Sequence, residues 1–448
     1  MSELTDYLWE RFGALAFDDV PRDVKTVAGQ CVLDWFGCAV AGSREPLSGI
    51  LRDEFGRPDG ECSLVGTDVR AEPLRAALVN GAAGHALDFD DTSNVMGGHA
   101  TVPMLPAVLA LAEVEGRSGA DVLTAYVVGM EVQSRIGTSI GPEHYGSGWH
   151  TTSTIGVFGA AAASAWLLGL DHGRFGAAMG IAASNASGLK ANFGTMTKPL
   201  HPGQAAERGL MAAKLAARGY TSNSDAIEGN QGLTQAAGNG SLDQDRIDRL
   251  ADGWATRRTL FKHHAACHLT HAGIEATSAV LRGGVQPADV DRITLTVNPS
   301  ILDVCGIPDP RTGLEAKFSL RGTQSLLVHG IDTAAIQTFD DGPINREDVQ
   351  AFIPNVVVET DASLHTMATR VAVQTREGVV EAVADVSRPA TDLHDQGAKL
   401  RAKFEALVEP VLGSGTQRLA ESVSELQDVD DIGEVLTLTR CPQPLEQP

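Results

Sequence analysis

The stretch "DVDRITLTVN" (289–298) decides the fold. Apolar and polar residues alternate in it with a period of two, the signature of a half-buried strand. Nothing before it reads that way. Upstream, apolar residues recur at helical spacing over 21–42, 73–88, 103–115, 119–139, 151–169, 172–187 and 203–218. Segments such as "VFGAAAASAWLLGL" (157–170) are dense in Ala and Gly, which let helix axes approach closely. Downstream, "NVVVET" (355–360) and "TRVAVQTREGVVEAVADVS" (369–387) repeat the alternation, the second as a hairpin turning at "REG". A helix is expected near 312–330. From about 395 the helical texture returns in "DQGAKLRAKFEALVEPVL" and "TQRLAESVSEL". The fold class that follows is mainly α with an inserted α+β domain. The large helical domain is formed by 1–271 and 393–448, and a smaller α+β lid by 272–392.

Composition narrows the function. The 448 residues exceed one simple core, so two domains are expected. With 35 basic against 57 acidic residues the formal charge is −22, which argues against a nucleic-acid or membrane-surface partner. An anionic small molecule needs only a local basic pocket. The N-terminus, "MSELTDYLWERFGAL", is an amphipathic helix containing acids, not a basic region followed by an apolar one. Six scattered cysteines read as reduced thiols. A cytoplasmic protein is the expectation.

Five stretches carry residues with chemistry. "LRAALVNGAAGHAL" (74–87) runs into Asp88, Asp90 and Asp91, then Thr92, and a loop brings in His99. Three acids ending an apolar helix either cap the next turn in solvent or turn inward. "SGWHTTSTIG" (147–156) places His150 at a helix start, where the threonines are natural caps and the histidine is incidental or functional. "TMTKPLHPGQAAERG" (195–209) reads as a Pro-fixed loop entering a helix, with Lys198 and His201 beside its prolines. Lys198 is either a solvated turn residue or a partly desolvated cation aimed at a carboxylate. "EAKFSLRGTQSLL" (315–327) sets Lys317 and Arg321 four apart on a helix, and Arg321 has the fork for a carboxylate.

"FKHHAACHLTHAG" (261–273) is the densest cluster, with His263, His264, Cys267, His268 and His271. On a helix, His264, His268 and His271 share a face, which invites zinc. The Glu of an H-E-x-x-H motif is absent, and no second compact Cys/His pair supplies further ligands, so no metal is expected. Phosphate-loop, dinucleotide and G-x-S-x-G motifs are missing too.

"HALDFDDT", "TKPLHPGQAAERG", "AIEGNQGL" (226–233), "CHLTH" and "EAKFSL" together, in this order, resemble the MmgE/PrpD family over about 25–440. That family contains 2-methylcitrate dehydratases, cis-aconitate decarboxylases and iminodisuccinate epimerases. The resemblance implies a helical domain with an α+β lid, a homodimer, and no metal or organic cofactor. It implies an active site of Asp88, Thr92, His99, His150, Lys198 and His268, with Asp90 and Asp91 as caps. By the same resemblance, Arg321 stands where the decarboxylase branch has a tyrosine, and Lys190 where it has a methionine, which points to a more anionic or differently placed substrate. Lys190, His201, Thr92 and Arg321 are therefore expected at the substrate.

The chemistry expected is proton abstraction beside a carboxylate of a di- or tricarboxylate. Histidines exchange the proton and cations steady the enolate-like charge. Dehydration of a 2-methylcitrate-like substrate ranks first, epimerisation second and decarboxylation third. Two readings of other classes are a metal-dependent hydrolase and a non-catalytic carboxylate-binding protein.

Overall fold

The computed structural model describes residues 3–238 and 253–441, together with Asp243, Asp245, Ile247 and Leu250. The chain divides into two compact units, Met1–Phe261 with Ala390–Pro448, and Lys262–Pro389. Among the described residues no helix is long and apolar enough to cross a membrane.

The first unit is helical. Its buried Arg22–Gly42 helix packs against Leu393–Leu412 from the other end of the chain. Gln30 joins them, donating to the Leu393 carbonyl and accepting from Gln396, each at 2.7 Å. Pro73–His85 crosses Thr197–Ala217, which also packs on Gly156–Leu167. The first crossing is a glycine contact. A Cβ on Gly81 would lie 2.7 Å from the Gly203 Cα, and one on Gly203 would strike the Leu78 carbonyl. Close approach of two helix axes therefore requires glycine on both sides. It sets His85, one turn beyond Gly81, near Lys198 and His201, which lie within two turns before Gly203.

Three expected boundaries differ in this unit. The Thr197–Ala217 helix begins six residues before the expected 203. Pro199 sits in the first turn, whose N–H groups have no helical partner, and Pro202 lies inside the helix at the loss of one bond. Lys198 and His201 are thus on a helix and not on a loop. The expected 151–169 helix is split into Thr151–Thr154 and Gly156–Leu167. Finally, Pro73–His85 stops three residues short of Asp88, which has a left-handed φ of 53°.

The second unit is α+β. Its sheet has the order 356–360, 290–297, 368–375, 378–385. Val290–Val297 runs parallel to Val356–Thr360 and antiparallel to Ala368–Thr375, which forms the hairpin with Gly378–Asp385. Alternate residues Ile293, Leu295 and Val297 are buried with Val371 and Val373, under Ala276 and Val280 of the His268–Arg282 helix. Burying each of the larger side chains contributes about 1.5–3 kcal/mol. The expected helix over 312–330 is two, Gly313–Lys317 and Leu320–Val328. Ser319 is extended between them and caps the second through the Gly322 N–H. Lys317 and Arg321 therefore lie on different helices, and their i, i+4 relation fails. So does that of His264 with His268 and His271, because the helix begins at His268.

Candidate active site

In the first unit the chain leaves Pro73–His85 through a turn and enters the acidic segment 88–91. Lys403, from the Leu393–Leu412 helix, holds this segment by donating to the Phe89 carbonyl and to Asp34 Oδ1, each at 2.6 Å. The Asp91 carboxylate accepts from the Thr101 amide at 3.2 Å and from its hydroxyl, and that hydroxyl meets the Tyr126 hydroxyl at 2.7 Å. The loop between is closed by a Thr92–Leu260 backbone bridge and a Ser93–Gly98 bridge. It returns at His99, whose amide donates to Thr152 Oγ1 at 3.1 Å.

The side chains then meet. His85 Nδ1 lies 2.9 and 3.1 Å from the two Asp90 oxygens. His99 Nδ1 approaches Asp90 at 3.0 Å, but out of line for a hydrogen bond. The other His99 nitrogen, Nε2, is 3.4 Å from Asp88, and Lys198 Nζ is 2.8 Å from the same Asp88 oxygen. The His85 and His99 rings pack edge to face at 4.4 Å, and the His85 and His150 rings are 6.1 Å apart. His150 Nδ1 faces His201 Nδ1 at 3.0 Å, so one ring donates to the other. Phe193 lies edge-on to His150, with the Lys198 ammonium 5.4 Å from its ring centre.

Burial sorts these groups into two layers. The His85 and Asp90 side chains are 0% and 1% exposed, while those of Asp88, His99 and Lys198 are 12–14% exposed. Burial alone would raise the Asp90 carboxyl, but His85 and His99 outweigh it and hold it well below the usual range, an anion at neutral pH. Burial pulls His85 down to about 4, despite Asp90. Burial, with His85 next in effect, also lowers His150 well below its ordinary value and takes His201 to about 4. Asp91, buried with Asp34 nearby, is pushed up to about 7. The inner layer is thus a row of neutral imidazoles against one carboxylate.

Within this unit the structure brings together Asp88, His99, His150, Lys198 and His201 of the expected residues. Thr92 is half-buried, with its backbone on Leu260. Lys190 places its ammonium on the Tyr145 carbonyl at 3.2 Å and over that ring at 3.7 Å. His268 and Arg321 belong to the second unit. His268 is buried, with its ring 4.8 Å from His271, and Arg321 is half-buried at the second residue of its helix. Asp90 and Asp91 are not solvent-facing caps, since each is 1% exposed. His85, Asp34 and Lys403 escaped the sequence reading. His85 stands in the quoted apolar run, three residues before Asp88, and that proximity was its only local signal.

Metal-like spacing arises at Asp88 and Asp90, two of the acids a metal-dependent hydrolase reading would use, but with His85 and His99 and not with the 263–271 histidines. Ligand atoms of His85, Asp88, Asp90 and His99 lie within 4.8 Å of one another, the only such group among the described residues. Asp88 already holds an ammonium and Asp90 an imidazole N–H, so the group is a connected hydrogen-bond and ion-pair network. In the 261–273 cluster, His264 is engaged by Glu275 at 3.2 Å and Thr333 at 2.8 Å, and His271 by the Ala266 carbonyl at 3.3 Å.

Comparison with known proteins identifies the family. The MmgE/PrpD N-terminal domain matches residues 8–245 and the MmgE/PrpD C-terminal domain residues 264–428. The cis-aconitate decarboxylase-like protein oryM of Aspergillus oryzae is 30% identical, over 94% of each chain. Cis-aconitate decarboxylase of Aspergillus terreus is 28% identical over 96% of this chain and 94% of its own. That of Homo sapiens is 31% identical over 85% and 82%. The chain belongs to the MmgE/PrpD family.

Proposed function

We propose that this MmgE/PrpD protein is a lyase acting on a di- or tricarboxylate by proton transfer beside a carboxylate, with decarboxylation of a cis-aconitate-like substrate as its reaction. The observation that carries the reading is the Asp88–Lys198 pair set against His99. A cation held at 2.8 Å by one carboxylate, with an imidazole nitrogen 3.4 Å from that same oxygen, combines anion binding with acid–base chemistry in one small volume. The relatives' activity supports decarboxylation over the dehydration ranked first on sequence alone.

The chemistry balances simply. In a β,γ-unsaturated tricarboxylate the bond to the leaving carboxylate breaks, and its electron pair becomes a new double bond. The old double-bond pair moves onto the carbon beside another carboxylate, giving an enediolate. One proton delivered to that carbon yields carbon dioxide and an unsaturated dicarboxylate. Lys198 neutralises the enediolate as it forms, in a site where few waters compete. His99, steadied by Asp88 and Asp90, is placed to deliver the proton, and His150, facing His201 at 3.0 Å, is the second imidazole able to exchange it. No step calls for a metal, and activity is expected to survive exhaustive chelation.

Dehydration is the second reading. Arg321 and Lys190 favour it, because they stand where the resemblance leads one to expect the tyrosine and methionine of the decarboxylase branch. Proton NMR in D2O with cis-aconitate and 2-methylcitrate in parallel separates the two. Loss of carbon dioxide with one deuterium in the product supports decarboxylation. Alkene formation from the hydroxy acid without that loss replaces it with dehydration. No turnover or exchange with any polycarboxylate would sink both.

A further inference from the structure

We propose that Lys403 is a positioning residue for the acidic segment 88–91, a role that rests on the function proposed above. It lies on the helix returning from the far end of the chain, and its side chain is 6% exposed. A buried ammonium must have its donors satisfied. Two of its partners are Asp34 Oδ1 and the Phe89 carbonyl, each at 2.6 Å, and it also sits 3.9 Å from the centre of the Phe89 ring. Phe89 stands between Asp88 and Asp90, the two acids that hold Lys198 and His99. Asp34 is itself 1% exposed and comes from the buried Arg22–Gly42 helix, so the ammonium is anchored on a rigid element. Fixing the Phe89 carbonyl fixes the peptide leading into Asp90. The carboxylate then keeps only its side-chain rotations, and His85 takes those up. From the other side, the Asp91 clasp on Thr101 closes the loop that carries His99.

A purely structural ion pair would behave differently. It would serve the fold through Asp34 alone, and the bond to Phe89 would be incidental. Removing Lys403 singly leaves Asp34 as a buried unpaired charge, which is strongly destabilising whichever account holds. The informative variant is therefore the double substitution Asp34→Asn with Lys403→Met, which removes both charges, compared with Asp34→Asn with Lys403→Gln, which restores a donor within reach of Phe89. Lys399→Met, an exposed residue on the same helix paired with Asp395, is the control. Thermal unfolding, kcat and KM on the substrate found by NMR, and backbone amide exchange over 88–101 are measured for each.

A displacement of about 1 Å in a catalytic group can cost 10²-fold. The Met double variant should unfold cooperatively, lose about 10–100-fold in kcat with KM changed by less than about threefold, and exchange its 88–101 amides faster. The Gln double variant should recover most of the lost kcat and protection, and Lys399→Met should match the parent. A folded Met double variant with parental kcat and exchange overturns the proposal while the function stands. Equal defects in the Met and Gln variants overturn it too. If the Met variant does not fold, the Gln variant decides, and faster 88–101 exchange in it despite the restored donor overturns the proposal. If the parent turns over no polycarboxylate, the functional reading falls, and the exchange comparison still decides the role of Lys403.

Discussion

The protein has two histidine clusters, and they invert what their sequence spacing suggests. One gathers four histidines within nine residues, at 263–271. The other draws His85, His99, His150 and His201 from positions spread over more than a hundred. In the dense cluster, protein groups engage the ring nitrogens of His264 and His271. In the scattered one, His85 Nε2 and His99 Nδ1 are buried without a hydrogen-bond partner, beside a carboxylate pair and an ammonium. Density along the chain measures how cheaply residues can be made neighbours. Convergence of distant segments onto underused donors and acceptors is the better sign of a site for a ligand.

The largest effect that would break this contrast is kinetic. His99→Ala and His150→Ala are each expected to lower kcat by about 10²–10⁴-fold, the usual share of an acid–base group. His264→Ala should change it by less than about threefold, since Glu275 and Thr333 account for that ring locally. Steady-state assays with the opposite ordering would move the site to the other cluster. Lys198→Ala should act on affinity and charge stabilisation, and should harm a neutral ester analogue far less than the carboxylate.

Next in size is the glycine crossing that brings His85 towards Lys198. Gly203→Ala drives a methyl into the Leu78 carbonyl. It should cost about 1–3 kcal/mol of stability and lower kcat as well. Denaturant unfolding with unchanged stability and full activity would show that the two helices can part without harm.

The smallest expected effect is a slope. His85 and His201 go from 6.5 to about 4 on folding, so the unfolded chain binds more protons there, and their contribution is lost as pH falls from about 6.5 to 4. Asp91 goes from 3.8 to about 7, so its contribution has the opposite sign and is lost as pH rises over that range. Asp91→Asn removes the opposing part. Stability should then climb more steeply between pH 4 and 6.5, in unfolding curves taken half a unit apart. A flatter climb would mean that Asp91 is charged in the folded protein.

Much of the fold was legible because its two halves obey different periods. Ala- and Gly-rich helices and strands of β-branched alternation need no long-range knowledge to tell apart. The boundaries failed where local chemistry is ambiguous. Pro199 and Pro202 look like a loop but sit in a helix, and "KFSLR" looks continuous but breaks at Ser319. Within the site, Asp88 stood out as one of three acids ending an apolar run, and His99, Lys198 and His201 through their flanking Gly and Pro residues. His85 lay hidden in an apolar run. Lys403 and Asp34 could not be found locally, because their pairing spans 369 positions.

That span has a consequence during synthesis. A chain emerging from the ribosome at about 5–20 residues per second exposes Asp34 roughly 20–70 s before Lys403 exists to meet it. For that interval the nascent Arg22–Gly42 segment has an acidic group and no Leu393–Leu412 helix to cover it, and the acidic segment downstream lacks the Lys403 ammonium. A large part of the protein is made before its site can be completed. The nascent chain should therefore be inert and dependent on holding factors until the last helices arrive. Translation stalled near residue 390 should leave a species that proteases cut between residues 85 and 101.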